Sequence, residues 1–104
     1  MIKHVVLLSF AANVSEEKIN NALEKLGSLR QKEIPQIKSF SFGKNISPED
    51  QSNGFNYVFI MDFANEADRD VYLTHKQHTE VANKDVLPLL ADGFNSVAVV
   101  DYKV

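Results

Sequence analysis

Residues 55–63 read FNYVFIMDF, which is the strongest β-strand pattern in the chain. Successive side chains of a strand point to opposite faces, so one face of this segment carries only aromatic and methionine side chains. These are Phe55, Tyr57, Phe59, Met61 and Phe63. The opposite face carries Val58 and Ile60 and is therefore also apolar. A strand with two apolar faces predicts a sheet that is covered on both sides.

Three further segments have strand patterns. Residues 2–10 (IKHVVLLSF) and residues 94–102 (FNSVAVVDY) are rich in valine, and both of their faces are largely apolar. Residues 36–43 (QIKSFSFG) are more polar, which favours a position at the edge of a sheet. The polar residues 44–54, rich in turn-forming types, predict a loop between two of the strands.

Two regions between the strands have helical spacing of apolar residues. Ser15 is placed to cap a helix over residues 16–32, whose apolar side chains recur at intervals of three and four. That stripe consists of Ile19, Ala22, Leu23, Leu26 and Leu29. A second helical pattern covers residues 79–90. Because Pro88 cannot donate a backbone hydrogen bond, we expect this helix to kink or end near Val86.

The order of the predicted elements is strand, helix, strand, strand, helix pair, strand. This is the split βαβ pattern of a ferredoxin-like fold of the α+β class, an antiparallel four-stranded sheet with its helices on one face. The length of 104 residues suits one domain over residues 1–104, because no linker or internal repeat divides the chain.

Helices cover only one face of such a sheet, yet its other face is also predicted to be apolar. The side chains assigned to that face are Val5, Leu7, Val58, Ile60, Val97 and Val99. An apolar patch of this size is uncommon on a monomer, and two-fold pairing is the commonest assembly. The sequence therefore predicts a homodimer in which two sheets pack face to face. The alternative is that small β-branched side chains stay exposed to water.

Composition argues against several classes of partner. The net charge is −3 and no basic stripe is present, so nucleic acid is not an expected partner. No apolar run approaches the ~20 residues that span a bilayer, so no membrane association is expected. The chain has no cysteine, which excludes disulfides and thiolate metal sites and suits a cytoplasmic location.

The stretch YLTHKQH at residues 72–78 contains two of the three histidines, and imidazole exchanges protons near neutral pH. It follows a short helix that Asn65 is placed to cap. On an unbroken helix His75 and His78 would share a face, and His4 in the first strand would meet them beneath the helices. Two other interpretations stay open. The histidines can be structural, or they can bind a metal ion, although residues 71–79 contain no carboxylate to orient them.

The order and spacing of several short motifs resemble the stress-responsive A/B barrel (Dabb) domain family over essentially the whole chain. The motifs are Lys3-His4, His75…His78, Pro88-Leu89-Leu90 and Val99-Val100-Asp101-Tyr102. Members of that family are dimeric α+β barrels, which agrees with the homodimer inferred above. Some bacterial members have no assigned activity. Plant members include a stress-associated protein and a cofactor-independent polyketide cyclase of the olivetolic acid type.

The resemblance to the cyclase implies roles for particular residues. Tyr72 and His78 match its catalytic tyrosine and histidine. The implied substrate-binding residues are His4, His75, Leu26 and Phe59, and no metal or other cofactor is implied. The chain departs from the family where Lys76 replaces a frequent proline, and Leu26 or Gly27 stands where the cyclase has a tyrosine. It also lacks the tryptophan of the cyclase pocket.

The chemistry implied is proton transfer without a cofactor. A neutral His78 would remove a proton next to a carbonyl of a β-keto or phenolic small molecule, and Tyr72 would orient the base or bind the developing enolate. An aldol-type ring closure needs nothing more. One alternative is a non-catalytic stress-associated dimer that binds a small apolar or aromatic ligand. Another is a cofactor-free monooxygenase, which rests on analogy with the wider fold superfamily.

Overall fold

The chain folds into one antiparallel sheet with helices packed on a single face. A computed structural model describes residues 1–104. The strands are β1 (Ile2–Leu8), β2 (Ser39–Lys44), β3 (Tyr57–Phe63) and β4 (Val97–Lys103). The α-helices are α1 (Glu16–Gly27), α2 (Glu66–Thr74) and α3 (Lys76–Val81). The strand order β2-β3-β1-β4 confirms the predicted ferredoxin-like α+β fold.

The ends of the elements differ from the sequence-based prediction by a few residues. Each strand lies within its predicted range or extends one residue beyond it. Strand β4 starts three residues later than predicted because Gly93–Ser96 form a 3₁₀ turn. The first α-helix ends at Gly27 and continues as a 3₁₀ turn over Ser28–Gln31, rather than as α-helix to residue 32. These corrections leave the topology unchanged.

Both predicted helix caps are present. The Ser15 hydroxyl accepts a hydrogen bond from the Lys18 amide at 3.2 Å. The Asn65 side-chain oxygen accepts from the Asp68 amide at 2.8 Å. Each cap satisfies an amide that has no partner within its own helix, which explains where α1 and α2 begin.

The inner face of the sheet, which lies against the helices, forms the core. On β1 and β3 every second side chain is buried, and the two sets meet across the strand pair in direct register. The buried residues are Ile2, His4, Val6, Leu8, Tyr57, Phe59, Met61 and Phe63. The strong two-residue alternation of the sequence therefore has a direct structural cause.

One face assignment from the sequence was wrong. In the sheet Val97 lies opposite Leu8 and Val99 lies opposite Val6, so both valines belong to the inner face. The outer face of β4 is formed instead by Ala98, Val100 and Tyr102, which lie opposite Leu7, Val5 and Lys3. The sequence VAVV is apolar at every position, so alternation could not identify its buried side.

The outer face of the sheet is nevertheless apolar and carries no helix. Its centre consists of Val5, Leu7, Val58, Ile60, Ala98 and Val100. Each is half-buried or exposed in the single chain, and Val100 is 60% exposed. None of the helices combines the length and the apolar character that a membrane span requires.

Candidate functional site

A cavity of about 230 Å³ lies between the inner face of the sheet and the helices. Its lining is mostly apolar and contains four polar side chains, those of His4, Tyr72, His78 and Asp101. An apolar space with a few convergent polar groups is the usual form of a small-molecule site. A larger groove of about 540 Å³ between α1 and β2 is open to solvent and contains no histidine, so its chemistry is less specific.

The structure brings together five of the six side chains that the sequence singled out. His4, Leu26, Phe59, Tyr72 and His78 all line the cavity. They come from β1, α1, β3, α2 and α3 respectively, so the cavity lies where all these elements meet.

His75 is not part of the cavity lining. Its backbone is extended, with φ −71° and ψ 133°, so α2 ends before it and α3 begins after it. The His75 ring caps α3, with Nδ1 accepting a hydrogen bond from the Gln77 amide at 3.0 Å. The expected sharing of one helix face with His78 is absent because the helix is interrupted at His75. The substrate-binding role assigned to His75 has no support from this position.

Tyr72 and His78 stack against each other at the cavity wall. Their ring centroids are 4.1 Å apart and the rings are inclined by 38°. The His4 ring lies 5.7 Å from the Tyr72 ring in an edge-on arrangement. Tyr72 is 1% exposed, and this burial raises its pKa. Its hydroxyl therefore keeps its proton at neutral pH and can act as a hydrogen-bond donor.

The two ring nitrogens of His78 differ in accessibility. Nδ1 is buried out of reach of the cavity, so Nε2 is the ring nitrogen that a ligand can contact. Burial lowers the pKa of His78; a hydrogen bond to the Leu73 backbone opposes this effect, and repulsion from His4 and His75 adds to it. The ring is therefore neutral at neutral pH. A neutral imidazole with a free ring nitrogen can accept a proton or a hydrogen bond from a ligand.

The third polar group, His4, is held by a charged pair that sequence reasoning missed. Nδ1 of His4 lies 2.7 Å from Oδ1 of Asp101, and Oδ2 of Asp101 accepts from Nη1 of Arg69 at 3.0 Å. Because a carboxylate only accepts, Nδ1 of His4 carries a proton, and in the neutral ring Nε2 is the acceptor nitrogen. Hydrogen bonds from Arg69 to Asp101 and Asp70 raise the pKa of the guanidinium. Asp101 could have been found from the register of β1 and β4, in which it lies directly opposite His4.

A π-helical turn shapes one wall of the cavity. After α3 the chain forms a π turn at Ala82–Val86 and a 3₁₀ turn at Leu87–Leu89. The Leu87 amide donates to the Ala82 carbonyl, five residues back. Pro88 supplies no amide hydrogen to continue the α-helical pattern, so the predicted interruption near Val86 occurs as this wider turn.

The three histidines do not form a metal site. No group of three or more histidine, aspartate or glutamate side chains is placed to hold a metal ion. His4 uses Nδ1 for Asp101, and His75 uses Nδ1 for its helix cap. The arrangement instead suits proton transfer or hydrogen bonding to an organic ligand.

Comparison with known proteins identifies the family. The family model of the stress responsive A/B barrel domain (Dabb) matches residues 2–104. The chain belongs to the Dabb family. The stress-response A/B barrel domain-containing protein HS1 of Arabidopsis thaliana is 31% identical over 102 residues, which are 98% of this chain and 88% of that protein.

Solved structures share the Dabb fold of this chain. A dimeric ferredoxin-like protein of unknown function from Jannaschia sp. CCS1 is 26% identical with a TM-score of 0.85, and the match covers 99% of this chain and 98% of that chain. A hydroxynitrile lyase from Passiflora edulis is 22% identical with a TM-score of 0.82, covering 99% and 92%. The second likeness concerns the fold alone. Family membership fixes no activity for this Dabb domain.

The lowered pKa of His78 predicts how stability depends on pH in this Dabb domain. The unfolded chain binds a proton at this ring near pH ~6.5, whereas the folded chain resists protonation to a lower pH. The stability that depends on a neutral His78 ring is therefore fully present above about pH 6.5 and is lost as the pH falls below that value. We expect the Tm of the wild type to drop more between about pH 7.5 and pH 5 than the Tm of His78→Gln, as measured by circular dichroism. Equal falls in Tm for the wild type and His78→Gln would contradict a lowered pKa of His78.

Proposed function

We propose that the cavity binds a small carbonyl or phenolic compound and that His78 acts on it as a general base. The observation that carries this proposal is the His78 ring, which lines the cavity, stacks on Tyr72 and is kept neutral because burial lowers its pKa. Nδ1 of His78 is sealed off from the cavity, so Nε2 is the ring nitrogen that a ligand can reach. The neutral state of the ring is the state that a base requires.

The proposed reaction moves one proton and needs no cofactor. The Nε2 lone pair of His78 takes a proton from the carbon next to a carbonyl, while the inaccessible Nδ1 carries the ring hydrogen. The electrons of the broken C–H bond become an enolate, whose negative oxygen accepts a hydrogen bond from the Tyr72 hydroxyl. The enolate then regains a proton from His78, or its carbon attacks a second carbonyl carbon in an aldol-type step and the alkoxide that forms takes the proton from His78. This is a cyclase-like or lyase-like proton transfer.

Deuterium exchange tests the catalytic part of this proposal. Acetophenone is a suitable test compound, because its methyl protons are adjacent to a carbonyl and exchange slowly in D₂O. We expect the wild type to accelerate the exchange, as followed by ¹H NMR, and His78→Gln to lower the catalysed rate at least about a hundredfold. The control is His75→Asn, which changes a histidine outside the cavity and keeps a side chain that caps helices well.

Two results separate catalysis from binding. Equal exchange rates for His78→Gln and the wild type would end the general-base assignment. If acetophenone perturbs the ring signals of His4 and His78 but exchange is not accelerated, the cavity binds a ligand without catalysis, which is the stress-associated alternative. A cofactor-free monooxygenase activity stays a prediction from fold analogy.

We propose further that two copies of the chain pack their outer sheet faces together. The outer face has an apolar centre on three adjacent strands, and nothing in the single chain covers it. The similar protein from Jannaschia is described as dimeric. An isologous two-fold interface uses the same patch on both copies, which a flat apolar sheet face provides. The cytoplasmic location and the absence of nucleic-acid partners stay predictions.

A further inference from the structure

Asp101 is the only charged side chain that lines the cavity. Arg69, which balances its charge, contacts Oδ2 of Asp101 and lies outside the cavity lining. A ligand therefore faces a carboxylate, two histidine rings and a tyrosine, and no lysine or arginine side chain lines the cavity. An anionic group placed among them would be buried with no lysine or arginine beside it, which costs far more than burying an uncharged polar group.

The volume of the cavity limits the part of a ligand that it encloses. A cavity of ~150 Å³ lined by apolar side chains is large enough to bind benzene. The cavity of about 230 Å³ therefore has room for one ring with a short substituent. A second fused ring or a long chain would have to extend through the opening.

The distribution of polar groups sets the orientation of that ring. The polar atoms of His4, Tyr72 and His78 belong to buried or half-buried side chains. The most exposed lining residues are apolar, with Phe94 71% and Val99 54% exposed. A ligand satisfies both regions when its polar group points inward and its ring or alkyl part lies towards the exposed apolar residues.

We infer that the site takes an uncharged single-ring compound whose carbonyl or hydroxyl group points inward, and that it rejects carboxylates. This inference rests on the proposed function and narrows its substrate class. The Tyr72 hydroxyl donates to the inward oxygen, and Nε2, the accessible nitrogen of His78, accepts from an acidic C–H or a hydroxyl. A carboxylate at the same position meets the negative charge of Asp101 instead.

Benzamide and benzoate test the inference because they have nearly the same shape and differ in charge. Each is titrated into the full chain at about pH 7.5, where benzoate is ionised, while the ring signals of His4 and His78 are followed by NMR. We expect benzamide to bind at least about tenfold more tightly than benzoate. Benzoate binding as tightly as benzamide overturns the inference and leaves the proposed function standing. If neither compound moves either ring signal, the proposed function itself fails.

Two substitutions test whether Asp101 is the cause, and they act in opposite directions. Asp101→Asn removes the charge but keeps an acceptor for His4, so the preference for benzamide should shrink at least about threefold. Arg69→Gln removes the balancing cation behind Asp101, so the preference should grow. Arg69 does not line the cavity, and its replacement therefore reports on charge without altering the contact surface. An unchanged preference in either folded variant refutes the role of Asp101.

Discussion

Val58→Glu is expected to convert the proposed homodimer into a monomer. Val58 lies on the outer face of β3, directly opposite Leu7 of β1, and so near the centre of the apolar patch. A glutamate there would be buried without a cation when two sheets pack together. Because a two-fold interface repeats every residue, each dimer would carry two such charges.

The size of this effect follows from the cost of each buried charge. Removing an unpaired carboxylate from water costs several kcal/mol even after relaxation, and water remains available to it in the monomer. Two carboxylates at about 2 kcal/mol each would raise the dissociation constant at least about a thousandfold. Sedimentation equilibrium at micromolar concentration measures that change directly.

Val71→Glu is the matched control for this experiment. Val71 lies on α2, on the other side of the sheet, and is 39% exposed. The same exchange of valine for glutamate should leave the association unchanged there. A wild type that sediments as a monomer, or a Val58→Glu variant as dimeric as the control, would overturn the proposed packing.

The sequence was sufficient to predict the fold because its strongest patterns coincide with burial. In β3 the alternation of Tyr57, Phe59, Met61 and Phe63 matches strict alternation of burial, and β1 repeats it. Few topologies are compatible with these two strands and with a capped amphipathic helix that follows β1. The strand pattern placed His4 on the inner face, whereas Leu26 and Tyr72 were singled out by the resemblance to the Dabb cyclase.

The errors came from places where local pattern carries no information about tertiary pairing. The run Val97-Ala98-Val99-Val100 is apolar throughout, so its register against β1 decides which residues are buried. With that register wrong, Asp101 was not recognised as the partner of His4. The predicted helix pair is present, but no glycine or proline marks His75 as the place where α2 ends and α3 begins. Its ring competes for a backbone amide, a capping role that histidine rarely takes.

Asp101→Ala should produce the largest loss of stability among the polar residues of the site. The carboxylate joins β4 to β1 through His4 and to α2 through Arg69. His4 is 4% exposed, so its Nδ1 hydrogen would be left buried without an acceptor. The Arg69 guanidinium would lose its partner on the sheet at the same time.

The expected cost is about 3 kcal/mol, at the lower end of what breaking a buried ion pair costs. The lower end of that range applies because the Asp101 side chain is 23% exposed, so water can replace part of the lost contact. For a domain of this length the loss corresponds to a fall in Tm of more than about 10 °C. Thermal and urea unfolding of the purified variant provide the measurement.

A double-mutant cycle separates the unpaired hydrogen bond from simple loss of packing. Replacing His4 by leucine in the Asp101→Ala background removes the unsatisfied donor, so the double variant should be more stable than the sum of the two single losses predicts. Asp101→Asn, which retains an oxygen for His4, should lose less than half as much stability as Asp101→Ala. Strictly additive losses would mean that Asp101 and His4 act independently. The orientation and tautomer of His4 at the cavity would then have a cause other than its hydrogen bond to Asp101 of β4.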